Sequence, residues 1–122
     1  MPPITVFIVD DVPDMRMLLR VVIEADSGLQ VVGEAGDGAT AVKEIARIKP
    51  DVVLLDLSLP GMDGLEALPL IHEAAPGTQI VVFSGYTSER MAQAALDRHA
   101  ARYVEKGSRI EELPKIVREV AA

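Results

Sequence analysis

Apolar and polar positions follow two alternating periods along this chain, and the alternation lays out its elements. Asp51-Val-Val-Leu-Leu-Asp56 is a short, unbroken apolar run that ends on a carboxylate and breaks at Leu59-Pro60-Gly61. Such a run is too short for an independent helix and predicts a strand buried on both faces. Ile4-Thr-Val-Phe-Ile-Val9 reads the same way and runs into Asp10-Asp11, and Gln79-Ile-Val-Val-Phe83 runs into Ser84. Residues 29–34 and 102–105 supply two further strands.

Between the strands the period lengthens. Met15, Leu18, Leu19, Val22 and Ile23 recur at helical spacing, with Pro13 in the opening turn, where a missing N–H does no harm. Ser27-Gly28 closes that helix. Asp37 is placed to cap a second one, over 37–49, with Ala41, Val42, Ile45 and Ile48 inward and Pro50 as its stop. Asp63 and Glu66 have capping-box spacing for a third helix, which ends before Pro76-Gly77. Residues 88–100 predict a fourth helix, rich in alanine and so thinly buried. Ser108 and Glu111 start a fifth, with Ile110, Leu113, Val117 and Val120 inward. Pro69 and Pro114 fall inside predicted helices, where each removes a backbone hydrogen bond.

Five βα units predict an α/β fold: a single, doubly wound (βα)5 sandwich over residues 1–122 with a parallel, flavodoxin-like sheet of order 2-1-3-4-5. Composition narrows the function. Apolar residues are 49% and aromatics 3%, so Val, Leu, Ile, Ala and Met must fill the core. A net charge of -7 argues against direct nucleic-acid binding, which needs clustered Lys and Arg. Without cysteine there is no disulfide framework or thiolate metal site. No apolar run is long enough to cross a membrane, and a cytoplasmic location is the default expectation.

In open α/β sheets, ligands bind beyond the carboxyl ends of the strands. Asp10, Asp11, Asp56, Ser84 and Lys106 all fall there. Three carboxylates brought close together repel unless a cation intervenes, and an oxygen-only donor set suits Mg²⁺. A lysine and a serine hydroxyl would hold phosphoryl oxygens, and an aspartate at the end of a buried strand is a feasible nucleophile for an acyl phosphate.

From end to end, the chain resembles the receiver domain of bacterial response regulators. The resemblance rests on Asp10-Asp11 and on Asp56-Leu-Ser-Leu-Pro-Gly-Met-Asp-Gly64, together with Ser84-Gly85 and Tyr103-Val-Glu-Lys106. It implies a phosphorylation-controlled switch in which Asp56 accepts the phosphoryl group of a histidine kinase or phosphotransfer protein. Asp11, Asp56 and the Ser58 carbonyl would ligate Mg²⁺, with Asp10 acting largely through water. Lys106 and Ser84 would contact the phosphoryl group, and Tyr103 would be the aromatic that reports the switch. A homodimer or effector domain would use the face of the fourth helix, fifth strand and fifth helix. Val-Gly-Glu-Ala-Gly-Asp-Gly, residues 32–38, is similar to receivers that carry LuxR-type DNA-binding domains. One departure is Gly107, where family members commonly have a proline.

Each residue has a plainer reading when taken singly. Asp-Asp after a strand is commonly a capping pair, Ser84 a satisfied strand-end hydroxyl, Lys106 a solvated lysine and Tyr103 a half-buried aromatic. His72 and His99 fall on helix surfaces with no catalytic role. A haloacid-dehalogenase-type phosphatase would need a carboxylate where Ser58 stands, and Asp10-Asp-Val-Pro-Asp14 is no flavin phosphate loop. A receiver fold serving only as an interaction scaffold is the alternative that remains.

Overall fold

The computed structural model describes residues 2–85, 89–107 and 110–122. The expected helix starts at Ser88 and Ser108 lie outside them. Five parallel strands, β1 (Ile4–Val9), β2 (Leu29–Ala35), β3 (Val52–Leu55), β4 (Gln79–Ser84) and β5 (Arg102–Glu105), form one sheet of order 2-1-3-4-5, as the apolar pattern predicts. The helices are α1 (Pro13–Glu24), α2 (Gly38–Ile48), α3 (Gly64–Ala74), α4 (Glu89–Leu96) and α5 (Leu113–Ala121).

Alternate strand residues feed two separate cores. Val6, Ile8, Val52, Leu54, Val81 and Phe83 pack against α1 and α5, and Phe7, Val9, Val53, Leu55, Ile80 and Val82 pack against α2, α3 and α4. All four residues of β3 are buried, as befits the central strand of a sheet covered on both faces. The β1–β2 register shifts between Val6 and Phe7, and the Phe7 ring then lies over Gly33, where a Cβ would come within 2.7 Å of it. Gly33 and Glu34 thus belong to β2, and the turn begins only after Ala35.

The caps explain where the helices begin. Asp37 accepts the Thr40 N–H at 2.7 Å and Asp63 accepts the Glu66 N–H at 2.9 Å, each satisfying an orphan donor of the first turn. Gly61 has φ +74°, the conformation a type II turn requires after Pro60.

Three expectations are corrected. Leu18 is 45% exposed, because α1 centres Leu19 and Ile23 on the sheet and turns the neighbouring Leu18 to the flank. Pro114 does not interrupt a helix: a 3-10 turn, Ile110–Glu112, precedes α5, and Pro114 sits in its first turn, where no N–H is needed. α4 is shorter than the alanine pattern predicts. Its end is a Schellman motif, with His99 left-handed at φ 79° and the Ala100 N–H donating to the Ala95 carbonyl at 3.1 Å. Only Ala95 of α4 is fully buried, in keeping with the thin burial expected.

Candidate functional site

The strand ends converge as the topology requires. Asp10 follows β1, Asp56 follows β3, Ser84 closes β4 and Lys106 follows β5. Backbone bonds between the ends hold them in register: Asp56 N–H to the Val9 carbonyl at 2.9 Å, Asp10 N–H to Ala35 at 3.1 Å, and Lys106 N–H to Ser84 at 2.8 Å.

Asp10 and Asp56 are buried and alike in their bonding. Oδ1 of each accepts the N–H two residues on, from Val12 at 2.9 Å and Ser58 at 3.0 Å. Oδ2 of each accepts from Lys106 Nζ, at 2.7 Å for Asp10 and 2.9 Å for Asp56. Asp11 is exposed at the mouth, and one carboxylate oxygen from each of Asp10, Asp11 and Asp56 lies within 4.8 Å of the others.

The electrostatics follow from that crowding. Burial pushes the Asp56 carboxyl above its ordinary range; the Lys106 ammonium and the Ser58 N–H pull it down without cancelling that, and the Asp10 charge adds to the rise. Burial works against the charged form of Lys106, but its bonds to Asp10 and Asp56 prevail, raise its pKa and keep it protonated. Asp10 and Asp56 share the one ammonium and Asp11 lies beside them, so the cluster has more carboxylates than the lysine can balance. Oxygen-only donors at this spacing fit a hard divalent cation such as Mg²⁺.

The remaining candidates are placed around this centre. Ser84 is fully buried at the end of β4, opposite Glu105. Tyr103 is half-buried on β5, opposite Val82, and packs against the core beneath α2, α3 and α4. Ser58 is exposed in the loop after β3, and the Lys106–Gly107 peptide is trans.

Two residues that sequence reasoning passed over are part of this architecture. Gly64 donates its N–H to the Leu57 carbonyl at 2.9 Å and brings α3 against the end of β3. Arg16 reaches back from α1 to the Asp10 carbonyl at 2.6 Å. Gly64 lies within the quoted motif and was legible there; the partner of Arg16 depends on the fold.

The chain belongs to the response regulator receiver domain family, whose model matches residues 6–118. It is a phospho-accepting domain of phosphorylation-controlled signalling. The nitrate/nitrite response regulator protein NarL of Escherichia coli (strain K12) is 37% identical over 120 residues, covering 98% of this chain and 56% of its own length. This chain therefore spans about half the length of that curated relative. Among solved structures, the receiver domain of the NarL response regulator from Mycobacterium tuberculosis matches with a TM-score of 0.93 at 31% identity, over 99% of this chain and 98% of that one. The response regulator domain of Thermotoga maritima CheB matches at 0.91 and 32% identity, over 98% and 96% of the two chains. Receiver domains interact with histidine kinases or phosphotransfer proteins and with effector domains. No helix among the described residues is long and apolar enough to cross a membrane.

Proposed function

We propose that residues 1–122 form one receiver domain in which Asp56 takes the phosphoryl group. In this reading Asp10, Asp11, Asp56 and the Ser58 carbonyl hold Mg²⁺, Lys106 and Ser84 bind phosphoryl oxygens, and Tyr103 follows Ser84. The observation that carries it is the Lys106 ammonium shared between two buried carboxylates, Asp10 and Asp56, at the carboxyl end of the sheet.

The chemistry is an in-line displacement on phosphorus. An Asp56 carboxylate oxygen forms the new P–O bond, the P–N bond of a phosphohistidine breaks, and the released imidazole nitrogen takes up a proton. Mg²⁺ bound among the carboxylates would supply the positive charge that lets a phosphoryl group approach them. Lys106 then passes from the Asp56 carboxylate to a phosphoryl oxygen while keeping Asp10. Burial gives Asp56 a dry, fixed position and makes its carboxylate a better nucleophile than a solvated one. Hydrolysis by water returns the free carboxylate, so the chain assists its own phosphorylation and dephosphorylation without being a turnover enzyme.

The donor in this reading is a sensor histidine kinase or phosphotransfer protein, with which a cytoplasmic location agrees. Val12, Met17, Leu18 and Val21 are exposed on and beside α1 and give such a partner an apolar surface next to the site. A homodimer or effector domain would meet the face of α4, β5 and α5, where a groove of about 530 Å³ is lined by Tyr103, Arg102, Glu105, Lys115 and Glu119.

The test is incubation with acetyl phosphate, with and without Mg²⁺, and mapping of the adduct by mass spectrometry. The expected result is Mg²⁺-dependent labelling of Asp56 that Asp56→Asn abolishes. Labelling elsewhere, or equal labelling of the variant, would overturn the assignment; no labelling at all would favour the scaffold reading.

A further inference from the structure

Asp10 is held at every polar atom it has. Its N–H donates to Ala35 and its Oδ1 and Oδ2 accept from Val12 and Lys106. Its carbonyl accepts from Arg16 Nη1 at 2.6 Å. That carbonyl belongs to the peptide plane joining Asp10 to Asp11. Arg16 is therefore the group that sets the rotation of this plane, and with it the direction in which Asp11 leaves the chain. The Asp11 carboxylate makes no hydrogen bond among the described residues, so nothing but its backbone aims it.

The guanidinium is itself anchored. Nε donates to Glu34 Oε1 at 3.1 Å, and the other oxygen of Glu34 accepts from Arg20 at 3.1 Å. Burial works against the Glu34 charge, but the two arginines prevail and lower its pKa, keeping the anchor ionised. Gly36 leaves the room this requires: a Cβ there would stand 3.1 Å from Arg16 Nη1. One planar fork thus ties α1, β2 and the β1–α1 turn together, a geometry that a lysine cannot reproduce.

We infer that Arg16 is a positioning residue for the acidic site: braced by Glu34, it fixes the Asp10–Asp11 peptide so that both carboxylates face a bound cation together. The inference deepens the function proposed above and rests on it for the cation. It also has a sign that separates it from a simple charge effect. A positive guanidinium near a cation site repels the cation, so removing its charge alone would tighten Mg²⁺ binding. Removing a positioning group weakens it, by about 10-fold where an outer-shell partner of a metal ligand is lost.

The experiment uses the 122-residue chain as wild type, Arg16→Ala, Arg16→Lys and Glu34→Gln. Mg²⁺ titration is followed by amide NMR, and exchange of the Val12 amide and the unfolding midpoint are measured in EDTA. Arg16→Ala is expected to raise the Mg²⁺ dissociation constant about 10-fold, with Arg16→Lys and Glu34→Gln intermediate. In EDTA, exchange at Val12, whose N–H is bonded to Asp10 Oδ1, should quicken while amides of β3 and β4 stay protected. Unchanged or tighter Mg²⁺ binding by Arg16→Ala overturns the inference, as does unaltered exchange at Val12. A wild-type chain that ignores Mg²⁺ defeats the metal reading instead, and the exchange result in EDTA still decides the role of Arg16.

Discussion

Gly64 stands so close to Leu57 that a Cβ on it would lie 2.4 Å from the Leu57 Cα and 2.6 Å from the Asp56 carbonyl oxygen. Both neighbours are backbone, at the end of the strand that carries Asp56, so neither can swing aside. The first residue of α3 must be glycine for the helix to start there and for its N–H to reach the Leu57 carbonyl. Gly64→Ala should therefore lower stability by about 2–3 kcal/mol, the upper range for an overpacked interior. Acetyl phosphate labelling of Asp56 should slow with it. A urea midpoint within error of wild type would show that the helix shifts freely, against the rigid contact described here.

Asp56 gives a prediction with a definite sign. Its pKa is raised in the folded chain above the ordinary 3.8, chiefly by burial. Between those two values the folded state binds more protons than the unfolded one, so stability on this group's account falls as pH rises through the window and stays lower above it. In EDTA, Asp56→Asn should therefore be more stable than wild type near neutral pH, and the gain should fade as the pH falls through the raised folded-state pKa toward 3.8 and be gone below it. Mg²⁺ should reverse the order, since a ligand at a hundred times its Kd stabilises by ~2.7 kcal/mol and the variant loses one of its acidic donors. Thermal unfolding across pH, with and without Mg²⁺, checks both halves. A less stable variant in EDTA would mean that the Lys106 attraction outweighs burial at this site.

His72 and His99, expected only to decorate helix surfaces, stack with ring centroids 3.9 Å apart and planes at 8°. The left-handed His99 at the end of α4 folds the chain back over the last turn of α3, which brings the rings together. Beside Ala95 and Met91, which pack on the core that α3 lines, this stack is a further contact between the end of α4 and α3. His72→Ala should lower stability by about 0.5 kcal/mol, the low end for an aromatic pair because it is partly solvated. It should also quicken amide exchange over residues 89–100 more than in the sheet. Uniform acceleration across the chain would show that the stack has no local role.

The contrast between legible and hidden features has a physical basis. The strands could be read because Val52 to Leu55 are buried on both faces, and such a run carries its environment in its composition. The caps at Asp37 and Asp63 could be read because their acceptors and donors lie three residues apart. The convergence of Asp10, Asp56 and Lys106 followed once each was assigned to a strand end, since parallel topology gathers those ends on one edge. What depends on the angle of a helix to the sheet stayed hidden. The exposure of Leu18, the reach of Arg16 to a backbone carbonyl and the stacking of His72 on His99 all depend on it. Thr5, whose hydroxyl and N–H both bond Asp51 Oδ2 at 3.1 and 2.9 Å, lies 46 residues away in sequence, and no local pattern announces such a pair.

The last prediction concerns how a phosphoryl group on Asp56 would be felt beyond the site. It can shift the chain between two states only through groups that contact it differently in each. Ser84 is buried at the end of β4, and its carbonyl already holds the Lys106 N–H at 2.8 Å, so a change at this residue is transmitted directly to the start of the loop after β5. Tyr103 lies three residues before Lys106 and lines the groove between β5 and α5. α4, with Ala95 its only fully buried residue, is the element most easily displaced. Beryllofluoride with Mg²⁺, an acyl-phosphate mimic, should therefore alter amide exchange over residues 89–106 as well as around Asp10 and Asp56. Ser84→Ala removes the hydroxyl but no charge and none of the three carboxylates, so it should keep Mg²⁺ binding within about 2-fold, the range for a change that shares no partner with the donors. The distant exchange response should be lost in that variant. A response confined to the metal site in the wild type would mean that the face of α4, β5 and α5 is not coupled to Asp56. A full response in Ser84→Ala would move the coupling role to another residue, and Lys106 would be the first to examine.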